Sequence, residues 1–169
     1  NNARLKIAAG GMLVGNISAQ ADGNGQIQFA GAGEIRGKIG DTGGNGIGRV
    51  EANGAGIVKI GAGDHKVAFK AANGGAGFTF ADGANVTGII DNTSGAVNNT
   101  ALTFEGSSTV TGAVGGTHSF KTITVAGGTN KNVKFEGAVE ATTLNIGKND
   151  QEGAAKVTIG DDLTVTDIL

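Results

Sequence analysis

The sequence predicts an all-β chain wound as a right-handed parallel β-helix, a β-solenoid of about seven coils. Three observations predict it. One short pattern recurs: apolar-x-apolar, five residues, then apolar-x-Gly-x-apolar. A shift of 75 residues lays one set of apolar positions on another. The apolar runs are separated by Gly-, Asn- and Asp-rich turns, with 33 glycines and no proline in 169 residues. Period-two alternation marks short strands with one buried face, and a fixed spacing repeated marks a stack of coils.

The elements follow in chain order. Full copies of the short pattern are Leu5-x-Ile7 with Leu13-x-Gly15-x-Ile17, and Ile27-x-Phe29 with Ile35-x-Gly37-x-Ile39. Two more are Phe78-x-Phe80 with Val86-x-Gly88-x-Ile90, and Leu102-x-Phe104 with Val110-x-Gly112-x-Val114. The stretch from Val50 to Phe69 reads as a degenerate coil. Further strands are expected at Ile123-x-Val125, Val133-x-Phe135, Leu144-x-Ile146, Val157-x-Ile159 and Leu163-x-Val165. No segment carries the i, i+3, i+4 spacing of a helix, and β-branched residues dominate the apolar set.

At the 75-residue shift Ile27, Phe29, Ile35, Ile39 and Val50 meet Leu102, Phe104, Val110, Val114 and Val125. Leu5 meets Phe78 at a shift of 73, and Phe78 meets Val157 at 79. The chain is therefore read as one solenoid over residues 1–169, with internal repeats starting near 5, 78 and 157. Each long repeat is expected to hold about three coils, so that Phe104 lies above Phe29. A β-sandwich is the competing closure. It needs no register between residues 27 and 102, whereas a stack does, and this favours the β-helix. Seven coils at ~4.8 Å give a rod of roughly 35 Å.

Gly15, Gly37, Gly88, Gly112 and Gly137 stand between apolar residues rather than in turns. Alternation places them on the inner face, which predicts a ladder of glycines opposite a ladder of Phe29, Phe69, Phe80, Phe104 and Phe135. On that reading Gly112→Val destabilises the chain more than Gly116→Val.

The chain has no Cys, Trp or Tyr and a net charge of −2 with its charges scattered singly. That excludes disulfide and thiol chemistry and gives no basic stripe for nucleic acid. No run approaches the roughly 18 apolar residues of a membrane span. The chain begins without Met and stops inside an apolar arm, which reads as a piece of a longer polypeptide.

Candidate sites are sparse. His65 and His118 read as loop histidines; a Ser/His/Asp set with Ser119 and Asp64 would require convergence that sequence neighbours do not provide. Asp161-Asp162, with Asp150 and Glu152 nearby, is the one acidic doublet, and it aligns with the turn at Asp82-Gly83. Asp22-Gly23-Asn24-Gly25 and Asp41-Thr42-Gly43-Gly44-Asn45-Gly46 lack the spaced oxygens of a calcium loop and read as turns. Asn16, Asn85, Asn92 and Asn98 begin N-glycosylation patterns, as expected by chance in so Asn- and Thr-rich a chain. Lys59, Lys66 and Lys70 read as solvated surface. No catalytic, metal or cofactor-binding residue is assigned and no cofactor is expected.

At Phe80-Ala81-Asp82-Gly83-Ala84-Asn85-Val86-Thr87-Gly88 and Leu102-Thr103-Phe104-Glu105-Gly106-Ser107-Ser108-Thr109-Val110-Thr111-Gly112 the chain resembles the passenger regions of rickettsial outer-membrane surface antigens. These are the large autotransporter adhesins of the outer-membrane protein A and B type. The resemblance implies a passenger segment on the bacterial cell surface, held by a separate C-terminal barrel. It implies adhesion to and invasion of host cells, or part of a surface coat. The implied partners are a host-cell surface protein and like subunits in a coat, with no nucleic acid and no membrane insertion by this segment. The expected mechanism is geometric: coils present loops, and the segments Asp91 to Asn99 and Gly115 to Ser119 are the least turn-like. The alternative is a polysaccharide lyase or hydrolase on the same fold, which calls for a carboxylate cluster beside Lys or Arg on one coil face.

Overall fold

Alternating apolar residues form strands at most of the positions the sequence predicts, and every strand pairing among the described residues is parallel. The structure, a computed structural model, describes residues 3–41, 43–95, 99–147 and 155–169. The first coil carries β1 (Arg4–Ile7) and β2 (Met12–Val14), and the second β3 (Asn24–Phe29) and β4 (Gly33–Arg36). The third carries β5 (Ile47–Ala52), β6 (Gly56–Ile60) and the start of β7 (Gly63–Ala71). The rest of β7 begins the fourth coil, completed by β8 (Ala76–Phe80) and β9 (Ala84–Thr87). Then come β10 (Ile90–Asn92), β11 (Ala101–Phe104) and β12 (Ser108–Val110), followed by β13 (Phe120–Val125) and β14 (Asn132–Phe135). The chain closes with β15 (Val139–Ile146), β16 (Lys156–Ile159) and β17 (Leu163–Ile168). Among the described residues there is no helix, and the architecture is the β-solenoid of about seven turns that the periodicity predicts.

The strands connect as a nine-stranded and an eight-stranded sheet. The register resolves them into three ladders, because β7 turns a corner. Its first half, from Gly63 to Lys66, pairs with β9, while Val67 to Ala71 pairs with β5 and β10. The first face therefore runs Leu5, Ile27, Val50, Phe69, Ile90, Val114, Val139, Leu163. The second runs Leu13, Ile35, Ile60, Phe80, Phe104, Val125, Ile146. The third runs His65, Val86, Val110, Phe135, Ile159. Below His65 it continues to Ile39, whose carbonyl accepts the Lys66 N–H, and then to Ile17.

The short repeat of 22 to 24 residues is one turn: Ile7 pairs with Phe29, and Phe80 with Phe104. The 75-residue repeat is not a whole number of turns, and here the expectation fails. Ile27 lies on the first face and Leu102 on the second, Ile35 on the second and Val110 on the third, Ile39 on the third and Val114 on the first. The long repeat is three turns plus one face. Phe104 therefore stacks over Phe80, not over Phe29. The stretch from Val50 to Phe69 is not degenerate, since β5, β6 and β7 make a full turn there. Three faces that each offer an inward apolar strand accept the same sequence pattern, so the pattern can advance by a face without exposing its core residues.

All seven Phe side chains are fully buried. Phe69, Phe78, Phe80, Phe104 and Phe135 form a chain of ring contacts at 5.1–6.2 Å, with Phe80 stacked on Phe104 and Phe135 edge-on to Phe104. Such pairs add about 0.5–1.5 kcal/mol each beyond burial. Phe29 stands apart from this chain and covers Gly33, where a Cβ would meet its ring at 2.4 Å.

The pattern glycines do not face the Phe rings. They stand at corners, where alternation breaks because the backbone bends. Gly37 and Gly88 have φ of +129° and +151°, which only glycine adopts readily. A Cβ on Gly37 would lie 2.4 Å from the Gly15 carbonyl oxygen, and one on Gly112 would lie 2.5 Å from that of Gly88. A Cβ on Gly137 would meet Gly112 at 2.8 Å. Glycine stacks on glycine along the rod, and the missing Cβ lets backbone approach backbone.

Candidate binding surface

The connections at the corners differ in length along the stack. At the corner between the first and second faces, the early coils turn in three or four residues: 8–11, 30–32, 53–55 and 72–75. The fifth coil takes eight, from 93 to 100, and the sixth takes 115–119 between Val114 and Phe120. These two longer connections are neighbours in the stack. They are the segments the sequence marks as least turn-like; residues 96–98 lie outside the described residues.

The structure ties them together. Asp91, 5% exposed, accepts the Thr117 N–H on Oδ1 at 2.9 Å and the Thr117 hydroxyl on Oδ2 at 2.6 Å. Asn92, wholly buried, donates from Nδ2 to the Ser119 carbonyl at 2.9 Å and accepts from the Ser94 N–H and hydroxyl. A strand of one coil thus holds the loop of the next. A buried carboxylate needs such partners, since leaving it without them is costly. Sequence reading missed this anchor, although a polar Asp-Asn pair directly behind Ile89-Ile90, with no glycine until Gly95, was a legible signal.

His118 lies on the anchored loop and is half-buried. His65 does not lie in a loop, which corrects the sequence expectation. It occupies an inward position of β7 and is fully buried. Its Nδ1 accepts the Ile39 N–H at 3.2 Å, and its Nε2 donates to the Gly61 carbonyl at 2.9 Å. Burial lowers its pKa below the usual histidine value, opposed by the Gly61 hydrogen bond and the Asp64 charge. Asp64 sits on the outer side of β7 and accepts from Asn85 Nδ2. Asp64 is thus on the third face while His118 and Ser119 are in the corner loop, so the three do not converge.

Asp22, Asp41 and Asp82 cap amides. Asp22 accepts the Gly46 N–H at 2.7 Å and pairs with Lys66, and the Gly46 bond is the main cause of its lowered pKa. Asp82 pairs with Lys131, the main cause of its lowered pKa, and accepts the Ser107 N–H at 2.7 Å. Asp41 accepts the Gly43 N–H at 3.0 Å, an Asx turn; Thr42 lies outside the described residues. Asp161 and Asp162 form the bend between β16 and β17. Asp150 and Glu152 lie outside the described residues. Among the described residues, no group of three His, Cys, Asp or Glu is placed to hold a metal ion.

Asn16 accepts the Lys38 N–H, Asn85 bridges Asp64 and the Thr109 N–H, and Asn92 is buried. These three glycosylation patterns therefore serve the stack, and Asn98 lies outside the described residues. Lys59 faces outward on the second face, Lys66 reaches Asp22 and the Gly44 carbonyl, and Lys70 is on the first face, so they form no patch. No helix among the described residues is long and apolar enough to cross a membrane.

Outer membrane protein A of Rickettsia rickettsii is 35% identical over 162 residues, covering 94% of this chain and 7% of that protein. Outer membrane protein B of the same organism is 32% identical over 149 residues, 80% of this chain and 9% of that protein. Outer membrane protein B of Rickettsia japonica is 32% identical over 139 residues, 75% of this chain and 8% of that protein. The chain spans less than a tenth of the length of these curated relatives. No family model matches it, and no solved structure matches it.

Proposed function

We propose, from the premise that this chain is of the rickettsial outer membrane protein A and B type and lies on the outer-membrane surface, that it is an adhesive passenger segment. The solenoid is a rigid spacer, and the paired loops 93–100 and 115–119 contact a host-cell surface protein. One observation carries this reading. At the corner between the first and second faces, Asp91 and Asn92 at the end of β10 hold Thr117 and Ser119 of one long connection, and Asn92 also holds Ser94 of the other. Preorganised loops lose less conformational entropy on binding than free ones, which is what an adhesive edge requires.

The test is binding of the whole chain to mammalian cells, beside a variant in which Thr117, His118 and Ser119 are all glycine. Adhesion of the parent and loss of it in the variant, with unchanged circular dichroism, supports the reading. Equal binding of the two moves the contact elsewhere, and no binding by either makes this segment a spacer. A lyase or hydrolase reading would need carboxylates free to act on a substrate. Asp22, Asp82 and Asp91 instead cap the amides of the following coil.

A further inference from the structure

The one buried histidine stands where its neighbours along the third face are aliphatic. Ile39 lies in the coil below and Val86 in the coil above. Hydrophobic packing alone would be served by a third aliphatic residue, so the polar ring at this rung calls for a reason. His65 supplies one hydrogen bond between coils, Ile39 N–H to Nδ1, and one within its own coil, Nε2–H to the Gly61 carbonyl. Both nitrogens are thereby committed. Nδ1 must stay unprotonated to accept, and the ring must be neutral with its proton on Nε2.

We propose that His65 is an acid-sensitive latch between the second and third coils. Adding a proton at Nδ1 sets two N–H donors against each other at 3.2 Å. The ring then leaves its rung, and the coils on its N-terminal side loosen from the rest of the rod.

The surroundings offer a proton-bearing ring little help. On β7 itself the flanking charges are Asp64 and Lys66. Asp64 favours the charged ring, but it faces outward and is engaged by Asn85. Lys66 is turned to Asp22 and the Gly44 carbonyl. From the coil below, Lys38 opposes a positive ring. From the coil above, β9 presents Asn85, Val86 and Thr87, none of them charged. Phe69 meets the ring edge-on at 6.4 Å.

The direction of the effect follows. The unfolded histidine takes up a proton near its ordinary value of 6.5, while the folded one does so only at a lower pH. Stability contributed by the neutral ring is complete above that ordinary value. It declines as pH falls toward the lowered folded value, below which both states are protonated. Within this window the opening equilibrium shifts by up to about tenfold per pH unit.

The test is amide hydrogen exchange of the whole chain between pH 7.5 and 5, corrected for the intrinsic pH dependence of exchange. Protection of Ile39 and of strands β1 to β4 should fall by up to about tenfold per unit below pH 6.5, ahead of β13 to β15. His65→Val, matching Val86 above it, should abolish this slope, and His118→Ala should leave it intact. A slope that persists in His65→Val, or an equal loss along the whole rod, overturns the proposal. Nitrogen-15 shifts of the wild-type ring give a reading that needs no variant. An unprotonated Nδ1 at pH 7.5 is expected, and a proton on Nδ1 at that pH overturns the latch.

Discussion

Adding a single methyl group at Gly112 tests how tightly the coils are stacked. Its Cβ would lie 2.5 Å from the Gly88 carbonyl oxygen, 2.6 Å from the Gly88 carbonyl carbon and 2.9 Å from the Ile89 nitrogen. All three atoms are backbone, so no side-chain rotation relieves the clash and the fifth and fourth coils must part at this corner. Overpacking of this kind costs about 1–3 kcal/mol. The Gly112 N–H also donates to the Gly88 carbonyl, a bond whose loss adds about 1 kcal/mol. Gly112→Ala should therefore destabilise the chain by about 2–4 kcal/mol, and Gly112→Val by at least as much. Gly116 is the control: a Cβ there meets nothing within 4 Å, so Gly116→Ala should stay within about 0.5 kcal/mol of the parent. The assay is urea unfolding followed by circular dichroism. Because the obstacle is backbone, adding Phe104→Leu should not rescue Gly112→Val. An inward-facing glycine opposite a ring would predict rescue. Equal midpoints for Gly112→Ala and Gly116→Ala, or rescue by Phe104→Leu, would refute the reasoning.

In urea unfolding, Phe104→Leu should destabilise the chain more than Phe29→Leu, by about 0.5–1.5 kcal/mol for each aromatic pair broken, because Phe104 touches Phe80 and Phe135 whereas Phe29 touches no ring among the described residues. Asp22 and Asp82 are held below their ordinary value of 3.8, so the stability they provide is present above that value and fades as pH falls through the lowered folded values. Circular dichroism between pH 5 and 2 should show Asp82→Asn flattening this acid limb. Asp82→Ala should cost more than Asp82→Asn at pH 7, since asparagine retains an acceptor for the Ser107 N–H.

The stack was legible wherever strands alternate. The pairs Ile7 with Phe29 and Phe80 with Phe104 stand one turn apart in sequence and pair in space. The three-faced cross-section was not legible. Corners carry no apolar signature of their own, and each face offers the same inward pattern, so a shift that moves Ile27 onto Leu102 reads as a whole number of turns when it is not. The glycines misled for a related reason. Gly112 keeps the spacing of an inward residue, yet it stands at a bend, where the direction of a Cβ follows the corner rather than the pleat. His65 hid because its neighbours Gly61, Gly63 and Asp64 have turn composition, while its burial depends on Ile39 and Val86 more than 20 residues away. The Asp91 anchor was invisible from either loop alone, since it joins residues 26 apart.

Engineered cysteine pairs test the three-faced stack most directly, because the chain has no cysteine of its own. Thr79 and Thr103 are register partners on β8 and β11, on adjacent rungs about 4.8 Å apart, within reach of a disulfide. Three whole turns per long repeat would put Val50 between Ile27 and Phe78 on one face and lay Glu51 beside Thr79; in the structure Glu51 pairs with Lys70 on the first face, and Thr79 lies on the second. Under mild oxidation the Thr79→Cys/Thr103→Cys pair should cross-link within the monomer, and the Glu51→Cys/Thr79→Cys pair should stay reduced. Cross-linking of the second pair would contradict the architecture.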